Sequence, residues 1–215
     1  MDGNRRWAKQ KGLPTFEGHR QGYEKLKETV RWAKSSGVTH LIVYALSTEN
    51  WNRTAEEVSY LLDLIRLVLT RELSVIKKED TRIICVGERE RFPKDIQEFM
   101  VKAEEETSSL TGMTLVLALS YGGRVEILNA VRTLVKTGEK DITEKVFSDT
   151  LWTKDIPDPD IIIRTSGEMR LSGFLPWQAV YSELFFTKTL WPDFSQEEFE
   201  KILSEFSGRD RRIGK

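Results

Sequence analysis

Short apolar runs at residues 38–45, 82–86, 113–119 and 161–163 are spaced along the chain, each bounded by polar residues. A strand that is apolar on both faces has to be covered on both faces, which is how strands of a parallel sheet under helices read. Helical patterns fill the intervals. From Thr54, apolar Val58, Leu61, Leu62, Ile65, Val68, Leu69, Leu73 and Ile76 recur at three- and four-residue spacing, and Thr54 with Glu57 makes a capping box, predicting one helix from 54 to 76. Further helices are predicted at 23–34, 93–105, 124–136 and 195–207, the last opened by Ser195 with Glu198; residues 136–143 read as a polar surface loop. Strands alternating with helices predict an α/β fold, a mostly parallel sheet flanked by helices. With 215 residues, 24.9 kDa and 39% hydrophobic residues, one domain over 1–215 is expected.

Composition removes several functions. Lys and Arg total 33 against 34 Asp and Glu, a net charge of −1, so there is no overall basic field for nucleic acid and any anion site must be local. The single Cys85 stands in an apolar run, where it reads as an inert buried thiol and excludes an internal disulfide. No leader sequence and no spanning segment are read. The apolar-rich stretch 58–76 is interrupted by Asp63, Arg66, Arg71 and Glu72. A cytoplasmic protein is expected.

The polar blocks fall where a parallel sheet gathers its ligands, at the carboxyl ends of strands. Ser47 to Arg53 follows one apolar run, Ser120 to Arg124 another, and Arg164 to Ser172 a third. The opening Met1-Asp2-Gly3-Asn4-Arg5-Arg6-Trp7 adds a carboxylate, a glycine and two guanidinium groups. Alone, that stretch could be a charged terminus or an N-cap. Beside the downstream arginines it has the chemistry of a magnesium diphosphate site: a carboxylate for the cation, free N–H groups near glycine, and forks for phosphate oxygens.

These blocks, with Gly18-His19-Arg20 and Ala179-Val180-Tyr181-Ser182-Glu183-Leu184-Phe185-Phe186, resemble the cis-prenyltransferases, the undecaprenyl diphosphate synthase family, from Met1 almost to the last residue. The resemblance implies that family's fold, with a hydrophobic tunnel, and repeated condensation of isopentenyl diphosphate onto an allylic diphosphate such as farnesyl or geranyl diphosphate, each new double bond cis. The Z-polyprenyl diphosphate formed would be a precursor of a lipid carrier for cell-wall or glycan synthesis. It further implies Mg2+ held by Asp2 and Glu183, with Asp2 and Asn50 as catalytic residues. Gly3, Asn4, Arg5, Arg6, His19 and Arg53 would serve the allylic diphosphate, Arg164, Arg170 and Ser172 would hold isopentenyl diphosphate, Ser47 with Asn50 would lie near the proton that is lost, and Trp7, Ser47, Thr48, Glu49 and Trp51 would also bind substrate. On its own, Glu183 reads as an exposed alternation residue of a strand. A homodimer is implied, as is peripheral contact with membrane through the lipid product.

A growing polyprenyl chain needs a dry tunnel. Leu61, Leu62, Ile65 and Leu69 on the helix from Thr54, and the run 113–119, would form its walls, with the small Ala45 leaving it open for a medium or long product. The chain departs from the family pattern in several places. No apolar strand precedes Asp2 in the sequence given, Thr15 replaces an arginine, and Gly173 and Pro176 replace an asparagine and an aliphatic residue. The tail Arg209 to Gly214 resembles the family's arginine-glycine end. Rival readings are a non-catalytic subunit of a heteromeric prenyltransferase, whose kind lacks the opening aspartate-arginine block, and a short-chain cis-prenyl diphosphate synthase. A trans-type synthase is disfavoured because Asp158-Pro159-Asp160 is broken by proline, and a nucleotide-binding protein because no GKS or GKT loop occurs.

Overall fold

The computed structural model describes residues 1–209. Its helices are α1 (Asn4–Gln10), α2 (Thr15–Ser35), α3 (Ala55–Leu69), α4 (Leu73–Lys78), α5 (Lys94–Thr107), α6 (Gly123–Thr137), α7 (Glu144–Ser148) and α8 (Gln196–Ser207). Its strands are β1 (His40–Ser47), β2 (Thr81–Val86), β3 (Met113–Tyr121), β4 (Ile161–Arg164) and β5 (Glu183–Phe186). All the ladders are parallel, as the two-sided apolar runs require: β1-β3-β2 form one sheet and β4-β5 a second. β3, the centre of the larger sheet, is buried along nearly its whole length.

The main core joins Leu26 and Ala33 of α2, Leu61 and Leu69 of α3, Ile96 and Met100 of α5, and Phe199 and Ile202 of α8 onto one face of that sheet. A smaller cluster on Val116, Ala118, Tyr121, Ile156 and Leu175 covers the other. Burying such apolar surface, at about 25 cal/mol per Å², is what makes each amphipathic helix stay.

The helix expected over 54–76 is two helices. Thr70 Oγ1 bonds back to the Arg66 carbonyl at 2.6 Å and Thr70 leaves helical geometry (φ −121°, ψ −76°), so the ladder stops at Leu69 and restarts at Leu73. Thr54 caps α3 as its box predicts, accepting from the Glu57 amide. α7 was not expected; Thr143 caps it, at the end of the stretch read as loop. Cys85 is buried, and burial pushes its thiol pKa up, in keeping with an inert role.

A cavity of about 1200 Å³ is lined along β1 by His40 to Tyr44 and along β4 by Ile161 to Arg164. The same cavity reaches Asp2, Ser47, Asn50, Arg53, Arg170 and Ser172 at the carboxyl ends of those strands. Parallel pairing alone thus brings the polar blocks to one end of the molecule.

Candidate active site

Asp2 is held by its backbone. Thr165 Oγ1 accepts from the Asp2 amide at 3.0 Å and donates to its carbonyl at 2.7 Å, and the Trp191 amide donates to the same carbonyl at 3.0 Å. Thr165 directly follows β4, so the opening block is pinned to the end of that strand. Gly3 turns the chain into α1 with φ +110°, and a Cβ there would lie 3.0–3.1 Å from Leu190 and Ser166. Both the conformation and the space call for glycine.

The Asp2 carboxylate accepts from Arg164 Nη2 at 3.0 Å and lies 3.5 Å from Arg6 Nη2. Burial would raise its pKa, but bonds from Arg164 and Ser166 and the charges of Arg164 and Arg6 hold it below the ordinary carboxylate value. Arg164 also donates to Ser172 Oγ at 2.8 Å and to the Arg170 carbonyl. Arg6 reaches the Ser166 carbonyl at 3.0 Å and Glu168 at 3.2 Å, and Glu168 holds Arg170 through its other oxygen. Ser166 and Ser172 sit at φ +79° and +50°, and Ser120 at +48°, strained backbone at the carboxyl ends of β4 and β3.

The second group of side chains surrounds a cavity of about 150 Å³ lined by Asn4, His19, Asn50, Arg53 and Trp191 at its polar side and by Ala45, Leu61, Ile65, Leu117 and Leu119 beyond. Ala45, which lines this cavity, lies where the β1 register slips between Tyr44 and Leu46, a β-bulge. Of the expected tunnel walls, Leu61 and Ile65 line it, whereas Leu69 is in the core and Leu62 packs against the core. The Asn4 side-chain oxygen is buried without a partner among the described residues, against Gly22 of α2.

Glu183 opens β5 opposite Ile161, while Arg164 lies at the far end of β4, and the Glu183 carboxylate pairs with Arg209. Trp51 is not among the residues lining either cavity; it donates to Ser120 Oγ at 2.9 Å and meets Phe92 edge-on. Trp7 is an anchor, its indole N–H on Asp193 at 2.7 Å. The Asn50 side-chain oxygen accepts from the Ser47 amide at 3.0 Å, so it is engaged in capping the turn 48–52. Thr48 and Glu49 line the larger cavity. Arg5 is exposed and reaches toward Glu57. Gly173 (φ +79°) accepts from the Gly123 amide through its carbonyl, and the Pro176 ring fills the space where a Gly123 Cβ would stand, so the two departures close the 170s loop onto the start of α6. Residues 210–214 of the tail lie outside the described residues.

Sequence reasoning missed Thr165, Ser166 and Glu168, although they stand inside the Arg164–Ser172 block, and Glu57, which it read only as a capping residue. His19 is buried. Burial lowers its pKa first, with Arg53 and Arg5 adding to that and Glu57 opposing, and the balance keeps the imidazole below its ordinary value.

Among the described residues no group of three or more His, Cys, Asp or Glu could enclose a metal. Magnesium characteristically takes one or two carboxylates and completes its shell with phosphate oxygens and water, so Asp2 beside the arginine forks fits a diphosphate-borne cation and not an all-protein cage. No described helix is long and apolar enough to cross a membrane.

The family model described as "Putative undecaprenyl diphosphate synthase" matches residues 1–214. An isoprenyl transferase of Thermotoga maritima is 46% identical over 218 residues, covering all of this chain and 94% of the relative, and one of Aquifex pyrophilus is 45% identical, covering 100% and 93%. Among solved structures, lavandulyl diphosphate synthase from Lavandula x intermedia, in complex with dimethylallyl diphosphate, superimposes with a TM-score of 0.94 at 33% identity over 100% of this chain and 95% of its own. A probable undecaprenyl diphosphate synthase from Campylobacter jejuni gives 0.82 at 30% identity, over 91% and 93%.

Proposed function

The chain belongs to the undecaprenyl diphosphate synthase family of prenyltransferases, and from that premise we propose that it condenses isopentenyl diphosphate onto an allylic diphosphate to make a Z-polyprenyl diphosphate. The observation that carries the reading is the ion pair between Asp2 and Arg164 in the wall of the larger cavity, whose lining residues Asn50 and Arg53 also line the smaller apolar one. It joins the candidate cation ligand to the candidate isopentenyl diphosphate arginine, so two diphosphates bound there would be neighbours.

In the reaction the allylic C–O bond breaks and diphosphate leaves, the terminal alkene carbon of isopentenyl diphosphate forms the new C–C bond, and a proton is lost from its allylic CH2 to leave the new double bond. Charge develops on the departing diphosphate. Arg53, Arg6 and the N–H groups at the start of α1 are arranged to receive it, in a partly dry site where such contacts are strengthened. Arg164 and Arg170, spaced by the strained turn 165–172, grip the second diphosphate and fix where its double bond lies. Mg2+ held by Asp2 supplies further neutralisation of diphosphate charge when bound. The Asn50 oxygen is already a hydrogen-bond acceptor for Ser47, which leaves its amide N–H groups to orient a substrate oxygen.

A short-chain product is the second reading. The 150 Å³ cavity is smaller than the roughly 300–1,000 Å³ of typical ligand pockets, so the walls as they stand suit a starter of few carbons. A long product needs α3 to move outward, and α3 is the helix whose continuation is broken at Thr70. The proposal includes action as a homodimer in the cytoplasm, with peripheral membrane contact through the product and a lipid-carrier precursor as its use. The exposed stripe Leu128, Val131 and Val135 on α6 supports a second copy, which sedimentation would test. Incubation with labelled isopentenyl diphosphate, Mg2+ and geranyl or farnesyl diphosphate tests the activity. Radiolabel moving into extended diphosphates is expected; its failure to do so with any allylic starter overturns the reading.

A further inference from the structure

One carboxylate oxygen meets three basic groups, of which His19 and Arg53 line the smaller cavity. Glu57 Oε1 receives Arg53 Nη1 at 2.7 Å and His19 Nε2 at 3.0 Å, and lies 3.7 Å from Arg5 Nε. These groups come from three places: Arg5 from α1, His19 from α2 and Arg53 from the turn leading into α3. The Glu57 carboxylate is 9% exposed. Burial would raise its pKa, but His19, Arg53 and Arg5 hold it low, so it stays ionised.

We propose that Glu57 is a positioning residue of the starter-diphosphate site, its Oε1 serving as the common acceptor that aims His19, Arg53 and Arg5 at one anion. The proposal rests on the synthase reading above. Geometry supports it in two ways. Arg53 spends only Nη1 on Glu57, leaving Nε and Nη2 without a partner among the described residues, and a guanidinium fixed at one corner presents its other donors in a known direction. An ionised carboxylate can only accept, so the bond from His19 places a proton on Nε2 and leaves Nδ1 as the atom facing away from Glu57. The groups facing His19 are Glu57, Arg53 and Arg5. Without the carboxylate, two guanidiniums and an imidazole would stand together unscreened, and each would turn toward solvent. Glu57 does not itself face a diphosphate, because like charges repel; it acts through the others.

Two measurements test this on the full chain, with Glu57→Ala and the isosteric Glu57→Gln. Only two histidines are present, so 15N-detected imidazole spectra resolve His19 with His40 as the internal control. In the parent chain His19 should be the Nε2–H tautomer. Glu57→Gln keeps a neutral acceptor and should retain that tautomer in part, whereas Glu57→Ala should lose it. In steady-state kinetics Glu57→Ala should raise the allylic diphosphate KM by about ten- to a hundredfold while the isopentenyl diphosphate KM stays within about twofold, with Glu57→Gln between. A purely structural ion pair would change both KM values alike or neither, and that result overturns the proposal, as does an unchanged His19 tautomer in Glu57→Ala. A parent chain that elongates no allylic diphosphate overturns the synthase reading and this role with it. A parent that does so while both variants match it overturns this role alone.

Discussion

The carboxylate of Asp2 accepts a hydrogen bond from Arg164 Nη2 at 3.0 Å, across 162 residues of chain. A mobile charged terminus would not be found there. The contact, with the Thr165 clamp on the Asp2 backbone, ties the opening block to the end of β4 and makes one site of two distant motifs.

Asp2→Ala should therefore remove turnover with little loss of fold. The carboxylate is 38% exposed and its pairs are partly solvated, so the melting temperature should fall by only a few degrees, in keeping with about 1 kcal/mol or less for such ion pairs. Turnover should drop at least roughly a hundredfold, as when a charge-stabilising group is lost. Steady-state rates beside a thermal melt check both; unchanged turnover would take Asp2 out of the reaction.

Arg164→Ala should act on the second substrate. The side chain is 15% exposed and bridges Asp2 to Ser172, so its loss should lower kcat/KM for isopentenyl diphosphate by about 1.5–3 kcal/mol, roughly ten- to a hundredfold. Arg164→Lys should recover only part, since one ammonium cannot replace a planar fork. Equal binding of both diphosphates without Arg164 would contradict the assignment.

Gly22→Ala should damage the site from the far side of α1. A Cβ at Gly22 would stand 2.3 Å from Asn4 Oδ1, and the Gly22 carbonyl accepts from Trp191 Nε1 at 2.8 Å. Relief requires Asn4 to swing away or α1 to lift, at a cost of about 1–3 kcal/mol in stability. The allylic diphosphate KM should rise while the chain still folds, read by circular dichroism and kinetics together.

Stability should depend on pH through His19. Its folded pKa lies below the ordinary value of about 6.5, so the folded chain binds fewer protons than the unfolded one between those two values. The neutral imidazole's contribution is complete above about pH 6.5 and declines as pH falls toward the folded pKa. His40 shifts in the same direction, so the comparison that isolates the effect is His19→Gln, whose urea-midpoint profile between pH 7.5 and 5.5 should be flatter.

Ala45 is positioned to set product length. It lines the smaller cavity at the β1 bulge beside Leu117 and Leu119, and Ala45→Leu should shorten the products sized by reversed-phase chromatography. An unchanged distribution would place the growing chain elsewhere.

Strand and helix identities were legible because each rests on local pattern: 113–119 is apolar at every position but one, and the Thr54–Glu57 and Ser195–Glu198 pairs announce their helices within four residues. The motif blocks were legible because parallel strands put every carboxyl-end turn on one side. Other features were not legible. The break at Thr70 depends on one hydroxyl choosing a carbonyl, the Asp2–Thr165 clamp on which turn after β4 meets the opening block, and the place of Glu183 opposite Ile161 on the register of β5 against β4. Glu57 reads as a helix cap until α1, α2 and α3 come together around it. Periodicity and spacing reach only a few residues along the chain, so by itself the sequence determined the elements and the chemistry available at their ends. Which of those groups touch is decided by packing between elements, a sum over the whole core that no short window contains.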